Sequence, residues 1–256
     1  MASARLQDKA IVVAGGATGI GAATARRLAS EGAKVVVGDI QGEAAEAVAT
    51  QIVKAGGQAV SMYFDIADDA SVAALIGKAV QTYGGLDGIH VNAADLRIIV
   101  QDSDILEEPL EVLDRTLQVN LRGHVLCVRH ALPELLKRGG GCIVHTSSGA
   151  AYDGGPTRPA YSISKAGIHA LMRHVASKWG KEGIRTNVIC PGLVMTDVLK
   201  QVLSKQSQDD NLARVRHTRL GMPEDIAATV AMLMSADGDW ITGQVLSVDG
   251  GATLRQ

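Results

Sequence analysis

The sequence predicts an α/β fold: one doubly wound, seven-stranded parallel sheet flanked by helices on both faces. Three observations predict it. Short aliphatic runs alternate with longer stretches of helical periodicity along the whole chain, the pattern of repeated strand–helix–strand units. The runs are continuously apolar, as strands covered on both faces require. A glycine-rich turn stands at the first strand–helix junction, where such sheets bind ligands.

The elements follow in order. Residues 10–14 read as the first strand, and Gly15-Gly16-Ala17-Thr18-Gly19-Ile20-Gly21 leads directly into a helix over 20–30. Strands at 34–38 and 59–64 are followed by helices at 42–54 and 70–83. After a strand at 88–92, the periodicity over 110–138 predicts one long helix. A strand at 142–146 and a helix at 161–181 come next, then a strand at 186–190, a helix at 223–234 and a last strand at 245–248. Residues 198–219 break the rhythm, being polar and rich in Gln, Ser and Asp. They are expected to form a short helical insertion over the sheet's carboxyl edge, a place for a lid. No repeat or linker divides residues 1–256, so a single domain is expected, with a substrate-covering segment at about 197–219.

Composition narrows the function. Apolar residues make up 46% of the chain and aromatics 3%, so the core must be aliphatic. A net charge of −2 argues against a nucleic-acid or anionic-membrane surface. The start, residues 1–8, lacks the apolar run of a signal peptide, and no apolar stretch reaches the ~18 residues that a membrane span needs. Cys127, Cys142 and Cys190 fall inside helix or strand patterns. They read as buried reduced thiols of a cytoplasmic protein. His90 and His145 lie in strands, and His124, His130, His169 and His174 on helices, none at ligand spacing. No metal site is expected.

The glycine turn carries the first chemistry. Gly15, Gly19 and Gly21 permit a tight turn and close approach of a pyrophosphate, which the following helix N-terminus attracts. Asp39 closes the second strand, where a carboxylate can accept from adenosine ribose hydroxyls. It would also repel a 2′-phosphate, at about 4 kcal/mol before screening for a pair ~4 Å apart. Neither Thr18 nor Ile40 offers an offsetting cation, so NAD is expected over NADP. Asp65 closes the third strand and can either reach the adenine amino group or cap the next helix.

The second chemistry lies in the middle of the chain. Tyr161 and Lys165 share one helix face, with Ser148 upstream. An ammonium beside a phenol favours the phenolate, a base usable near neutral pH. Each residue also has a plain structural reading: Ser148 as a turn cap, Tyr161 as a helix-start aromatic, Lys165 as a solvated face. Their joint register with the glycine turn favours catalysis.

These residues resemble the short-chain dehydrogenase/reductase family, and the resemblance runs from Lys9 to Gly251. Gly15, Gly19 and Gly21 match its glycine motif, with Ala14 where a Thr is usual. Val91-Asn92-Ala93-Ala94 keeps only the centre of its Asn-Asn-Ala-Gly segment. Asn120, Ser148, Tyr161 and Lys165 match the catalytic tetrad, and Pro191-Gly192-Leu193-Val194-Met195-Thr196 the segment that holds the nicotinamide carboxamide. Residues 219–227 and 248–251 look like the C-terminal signatures.

The resemblance implies a Rossmann-type, NAD-dependent oxidoreductase acting on a secondary alcohol or ketone. Gly15, Thr18, Gly19, Ile20, Gly21, Asp39, Ile40, Asp65, Ile66, Asn92, Ala93 and Ala94 would hold NAD, with Tyr161, Lys165, Pro191, Gly192, Val194 and Thr196. Tyr161 would act as general base or acid and Ser148 would steady the substrate oxygen. Lys165 would bind ribose and lower the tyrosine pKa, and Asn120 would anchor a relay water. Ser148, Ala150, Asp153, Tyr161 and Leu193 would face substrate, in a wall completed by 94–96, 149–155 and 198–219. A small polar alcohol and a hydrophobic cyclic one both remain open, and Arg97 and Arg158 read either as anion contacts or as solvated surface. The rival activities are a 3-oxoacyl-carrier-protein reductase, which usually takes NADPH, and a catalytically silent dinucleotide sensor. The resemblance also implies a homotetramer, with Leu126, His130 and Leu171 as interface candidates.

Overall fold

The aliphatic runs pair into a single sheet in the computed structural model, which describes residues 4–254. Residues 1–3 and 255–256, expected to belong to the single domain, lie outside the described residues, as does the first part of the 1–8 segment. The strands are β1 (Ala10–Ala14), β2 (Lys34–Asp39), β3 (Gln58–Tyr63), β4 (Gly88–Val91), β5 (Gly141–Thr146), β6 (Ile184–Pro191) and β7 (Val245–Val248). Their order is β3-β2-β1-β4-β5-β6-β7, and every pairing is parallel. Strand order reverses between β1 and β4, which opens a crevice at their carboxyl ends.

Alternate residues of the strands feed two large cores, beside a smaller one of Ile168, Met172, Val188 and Cys190. On one face Ile11, Val13, Val35 and Val37 pack under Leu28, Val48, Ile52 and Val230, which come from α1 (Gly19–Ser30), α2 (Gly42–Lys54) and α9 (Pro223–Met234). On the other face Val12, Val36, Ile89 and Ile143 pack under Leu75, Leu132 and Leu135, from α3 (Asp69–Tyr83) and α5 (Gly123–Lys137). Each apolar side chain fully buried in this way contributes roughly 1.5–3 kcal/mol.

The expected long helix over 110–138 is a different object. It is α4 (Leu110–Leu117), a π turn over Gln118–Arg122, and α5. The wider turn brings the Asn120 side chain inward, where Oδ1 accepts the Asp95 N–H at 2.8 Å. A π turn recurs at functional positions because it re-aims a side chain without ending the helix. Smaller differences lie at the ends. β2 includes Asp39, and α6 (Pro159–Trp179) begins two residues before Tyr161. Asp68 rather than Asp65 caps α3, accepting the Ala70 N–H. The 198–219 segment contains α7 (Asp197–Val202) and α8 (Lys205–Arg214), neither with a buried residue.

Cys127, Cys142 and Cys190 are all buried. Among the described residues no helix is long and apolar enough to cross a membrane, and no group of three His, Cys, Asp or Glu side chains is placed to hold a metal ion. Leu126, an interface candidate, is packed in the chain's own core and only 6% exposed.

Candidate active site

The glycine turn is built by close contact. Gly15 has φ +90°, and a Cβ there would lie 2.5 Å from the Ala93 nitrogen. A Cβ on Gly21 would meet the Gly15 carbonyl oxygen, so both positions are closed to other residues. Gly15 and Gly16 N–H groups both donate to the Gly38 carbonyl, at 2.7 and 3.1 Å. Thr18 precedes α1 without a side-chain cap, and no acid occupies the helix's first turn. The positive end of α1 therefore faces the crevice, a donor set that suits a pyrophosphate.

The other expected cofactor residues gather around this turn. A Cβ on Gly19 would come 2.9 Å from Thr196 Cγ2, so the segment after β6 lies directly against it. Thr196 also caps α7 through the Leu199 N–H, and Val194 is buried beside an isolated bridge to Gly221. Gly192 is fixed by contact with Asp249, which a Cβ would strike at 2.8 Å. Pro191 ends β6. Asp39 is buried; Oδ2 accepts the Ala17 N–H at 2.9 Å and Oδ1 the Gln41 N–H at 3.0 Å. Ile40 beside it is exposed and Ile66 is buried. Asp65 Oδ1 accepts the Ala67 N–H at 2.9 Å, closing its own turn.

Hydrogen bonds made by Asn92 and Thr146 link this turn to Lys165. Asn92 Nδ2 donates to the Gly15 carbonyl at 2.9 Å, which leaves Oδ1 to accept from Thr146 Oγ1 at 3.1 Å. With its hydrogen spent, the Thr146 oxygen accepts from His90 Nε2 at 2.8 Å. The Thr146 carbonyl in turn accepts from Lys165 Nζ at 3.1 Å. Ser147 Oγ donates to the Lys165 carbonyl at 2.9 Å and accepts from His169 Nε2 at 2.9 Å. Thr146, Ser147, His90 and His169 have no motif signal, since only the β4–β5 pairing and the packing of α6 on β5 bring them here. Thr146, two residues before Ser148, is the one that strand alternation could have pointed to.

Tyr161 is half-buried and Lys165 is only 2% exposed. Burial pushes the Tyr161 phenol up, while the Ser148 hydroxyl, hydrogen-bonded to it, and the Arg158 cation pull it down. The resemblance assigns that pull to Lys165. In this chain the Lys165 ammonium is itself pushed down by burial, to about 8. Ser148 does serve as a turn cap, accepting the Ala150 N–H at 3.2 Å, and this fixes the hydroxyl that reaches the phenol. Asn120 is fully buried, with Nδ2 lacking a hydrogen-bond partner among the described residues.

The remaining expected substrate residues divide by exposure. Ala94, Ala150 and Leu193 are half-buried at the carboxyl edge of the sheet, and Asp153 is exposed. Arg97 pairs with Asp95 at 3.1 Å, so it is a structural partner of the loop after β4 rather than a free anion contact.

Three buried histidines lie beneath this layer. His124 and His145 meet Nδ1 to Nδ1 at 3.0 Å with stacked rings, and His90 shares their surroundings. Burial pushes His90 and His145 down to about 3, and His124 well below its ordinary value. All three are neutral at neutral pH.

Known proteins are similar to this chain over nearly its whole length. The family model described as enoyl-(acyl carrier protein) reductase matches residues 15–253. A probable short-chain type dehydrogenase/reductase of Bradyrhizobium diazoefficiens is 42% identical over 247 residues, covering 96% of this chain and 88% of the relative. L-rhamnose 1-dehydrogenase (NAD(P)(+)) of Sphingomonas sp. is 36% identical over 249 residues, covering 96% of each. A solved structure of 7α-hydroxysteroid dehydrogenase, complexed with NADH and 7-oxo glycochenodeoxycholic acid, superposes with a TM-score of 0.91 at 33% identity, covering 97% of this chain and 96% of that one. A seven-stranded parallel sheet, a dinucleotide-type glycine turn at its switch point and matches of this extent lead to one assignment: the chain belongs to the short-chain dehydrogenase/reductase family.

Proposed function

We propose that the protein is an NAD(H)-dependent dehydrogenase that interconverts a secondary alcohol and its ketone. The observation that carries this reading is the convergence of Ser148, Tyr161 and Lys165 at the sheet edge that also holds the glycine turn. Gly15, Gly19, Gly21 and the α1 N-terminus would hold the pyrophosphate, Asp39 the adenosine ribose, and Pro191 to Thr196 the nicotinamide end. Bound NAD supplies the hydride acceptor, and in reverse the donor. Tyr161 takes the hydroxyl proton and Ser148 holds the substrate oxygen as it becomes a carbonyl. Lys165 is anchored by the Thr146 carbonyl. The buried Asn120 Nδ2 supports a role in passing protons onward.

Asp39 supports NAD over NADP, because both carboxylate oxygens are already fixed by backbone N–H groups and the charge cannot swing away from a 2′-phosphate. The same argument disfavours a 3-oxoacyl-carrier-protein reductase. A silent sensor would not need the catalytic convergence.

Exposed apolar side chains on two segments that adjoin the site favour an apolar alicyclic substrate over a sugar. Val100, Ile105, Leu106 and Leu110, on the segment after β4, are exposed by 82, 73, 89 and 70%, and Val198 and Val202 of α7 by 64 and 71%. The first segment holds the Tyr161 backbone through Asp102 and the second follows Thr196, so their open apolar side chains suit an apolar ligand. The test is a panel of secondary alcohols, alicyclic and sugar, offered with NAD and with NADP while NADH or NADPH absorbance is followed. Turnover of alicyclic alcohols with NAD is expected. Preference for NADP, or no turnover of any secondary alcohol, overturns the reading. A homotetramer is part of the proposal, and sedimentation as a monomer at micromolar concentration would remove that part.

A further inference from the structure

We infer that Asp102 is a positioning residue for the catalytic helix, its buried carboxylate capping α6 from a distant loop and thereby setting where Tyr161 stands. The inference rests on the dehydrogenase reading above for its effect on turnover.

An α-helix begins with N–H groups that have no partner inside it. For α6 they can be followed one by one. Pro159 has no N–H. The Ala160 N–H donates to Asp102 Oδ1 at 3.2 Å and the Tyr161 N–H to Asp102 Oδ2 at 2.8 Å. The Ser162 N–H reaches the Arg158 carbonyl at 3.1 Å, the first intrahelical bond. Every early donor is accounted for, and both that need an outside acceptor use one carboxylate. One of them is the backbone of the catalytic tyrosine itself.

The local cap position cannot do this. Arg158 carries no acceptor in its side chain, and it holds a left-handed backbone, φ 69° and ψ 47°. That conformation is uncommon for a side chain of this size. It is fixed from the same distant loop, because the Arg158 N–H donates to the Ser103 carbonyl at 2.8 Å. Asp102 and Ser103 therefore grip residues 158, 160 and 161 together. Their loop is braced in turn by Glu108, whose Oε2 accepts the Ser103 N–H at 2.7 Å. Asp102 is only 5% exposed. A carboxylate buried at the positive end of a helix, with each oxygen taking one N–H, is held by charge-assisted bonds. The loop's other end is tied to the π turn through the Asp95 N–H and Asn120. One segment thus touches the tetrad at Asn120 and at Tyr161.

The test compares wild-type protein with Asp102→Ala and Asp102→Asn. Three quantities are read: amide hydrogen exchange over residues 160–162, kcat and KM for an alicyclic alcohol, and NADH affinity by fluorescence. In Asp102→Ala, exchange at 160–162 should rise about 2- to 30-fold, the range for a lost helix cap. Its kcat should fall about tenfold or more, as a displaced reacting group predicts, with NADH affinity within about twofold. Asp102→Asn should fall between, since one carboxamide oxygen can still accept one N–H; it also keeps the test alive if the alanine variant does not fold. Faster exchange with unchanged kcat would make Asp102 a purely structural cap and overturn the inference. So would unchanged exchange, or a loss of kcat matched by loss of NADH affinity. Localised faster exchange in a protein whose wild type oxidises no secondary alcohol would sustain the cap and reject the dehydrogenase reading instead.

Discussion

Lys165 stands over the face of the Tyr161 ring, its Nζ 5.6 Å from the ring centroid, while its hydrogen bond goes to the Thr146 carbonyl. An ammonium so placed is drawn to the ring's electron-rich face and is anchored by main chain rather than by the phenol oxygen. The groups that pull the phenol down are Ser148 and Arg158. Lysine and tyrosine are thus held as separate tools on one helix face, the lysine by β5 and the tyrosine by its serine.

Removal of the phenol hydroxyl should separate chemistry from binding. Tyr161→Phe is expected to lower kcat by roughly 10²–10⁴, the usual worth of a positioned acid–base group. NADH affinity, measured by fluorescence titration, should stay within a few-fold. Wild-type turnover in this variant would remove Tyr161 from the mechanism.

Arg158 should shift the phenol's working range. Its cation lowers the Tyr161 pKa, opposing burial, so Arg158→Ala should move the pH profile of alcohol oxidation to higher pH, where enough phenolate forms. Arg158→Lys should largely restore the profile. A profile that stays in place in the alanine variant would show that the cation is too well solvated to act.

Asp39 should govern cofactor choice. Asp39→Ser removes the charge, and the ratio of kcat/KM for NADP to that for NAD should rise at least ~10-fold, a conservative share of the unscreened repulsion. The change also strips acceptors from the Ala17 and Gln41 N–H groups, so Tm should drop, by an amount equivalent to about 1–3 kcal/mol. An unchanged ratio would place cofactor selection elsewhere.

The buried histidines should make the fold acid-labile. His90 and His145 are held at about 3, against an ordinary value of 6.5. Between those values the unfolded chain binds protons that the folded chain refuses, so stability falls as pH drops from ~6.5 towards ~3. Each full unit is worth about 1.4 kcal/mol. Urea midpoints measured from neutral to acid pH should decline steeply in wild type, and less steeply in His145→Gln. Equal slopes would remove His145 from the groups that drive the decline.

Much of this was legible in the sequence, for physical reasons that differ by element. The strands were visible because a parallel sheet covered on both faces needs unbroken aliphatic runs, and Ile11-Val12-Val13 feeds both cores with successive residues. The glycine turn was visible because Gly15 and Gly21 tolerate no Cβ. The residues around the tetrad were not. Asp102 is one acid among many in its loop, and only the fold brings it to Tyr161, 59 positions later. Spacing along the chain said that the histidines were unpaired, yet His124 and His145, 21 residues apart, meet across a helix and a strand. Leu126, a subunit-interface candidate by resemblance, is buried in the chain's own core, which only the packing of α5 on the sheet reveals.

That turn bears on how relatives of this protein are compared. A π turn holds one residue more than the α-helical turn it replaces. Loss of any one residue between 118 and 122 would let α4 and α5 fuse into one regular helix, with the flanking residues keeping their faces and the wider turn lost. Asn120, or whatever asparagine then occupied its column, would point away from the Asp95 N–H that it now accepts. Such a chain would still align with all four letters of the proposed tetrad in place and a single gap nearby. In this stretch the gap, rather than the letters, would signal that the site had come apart.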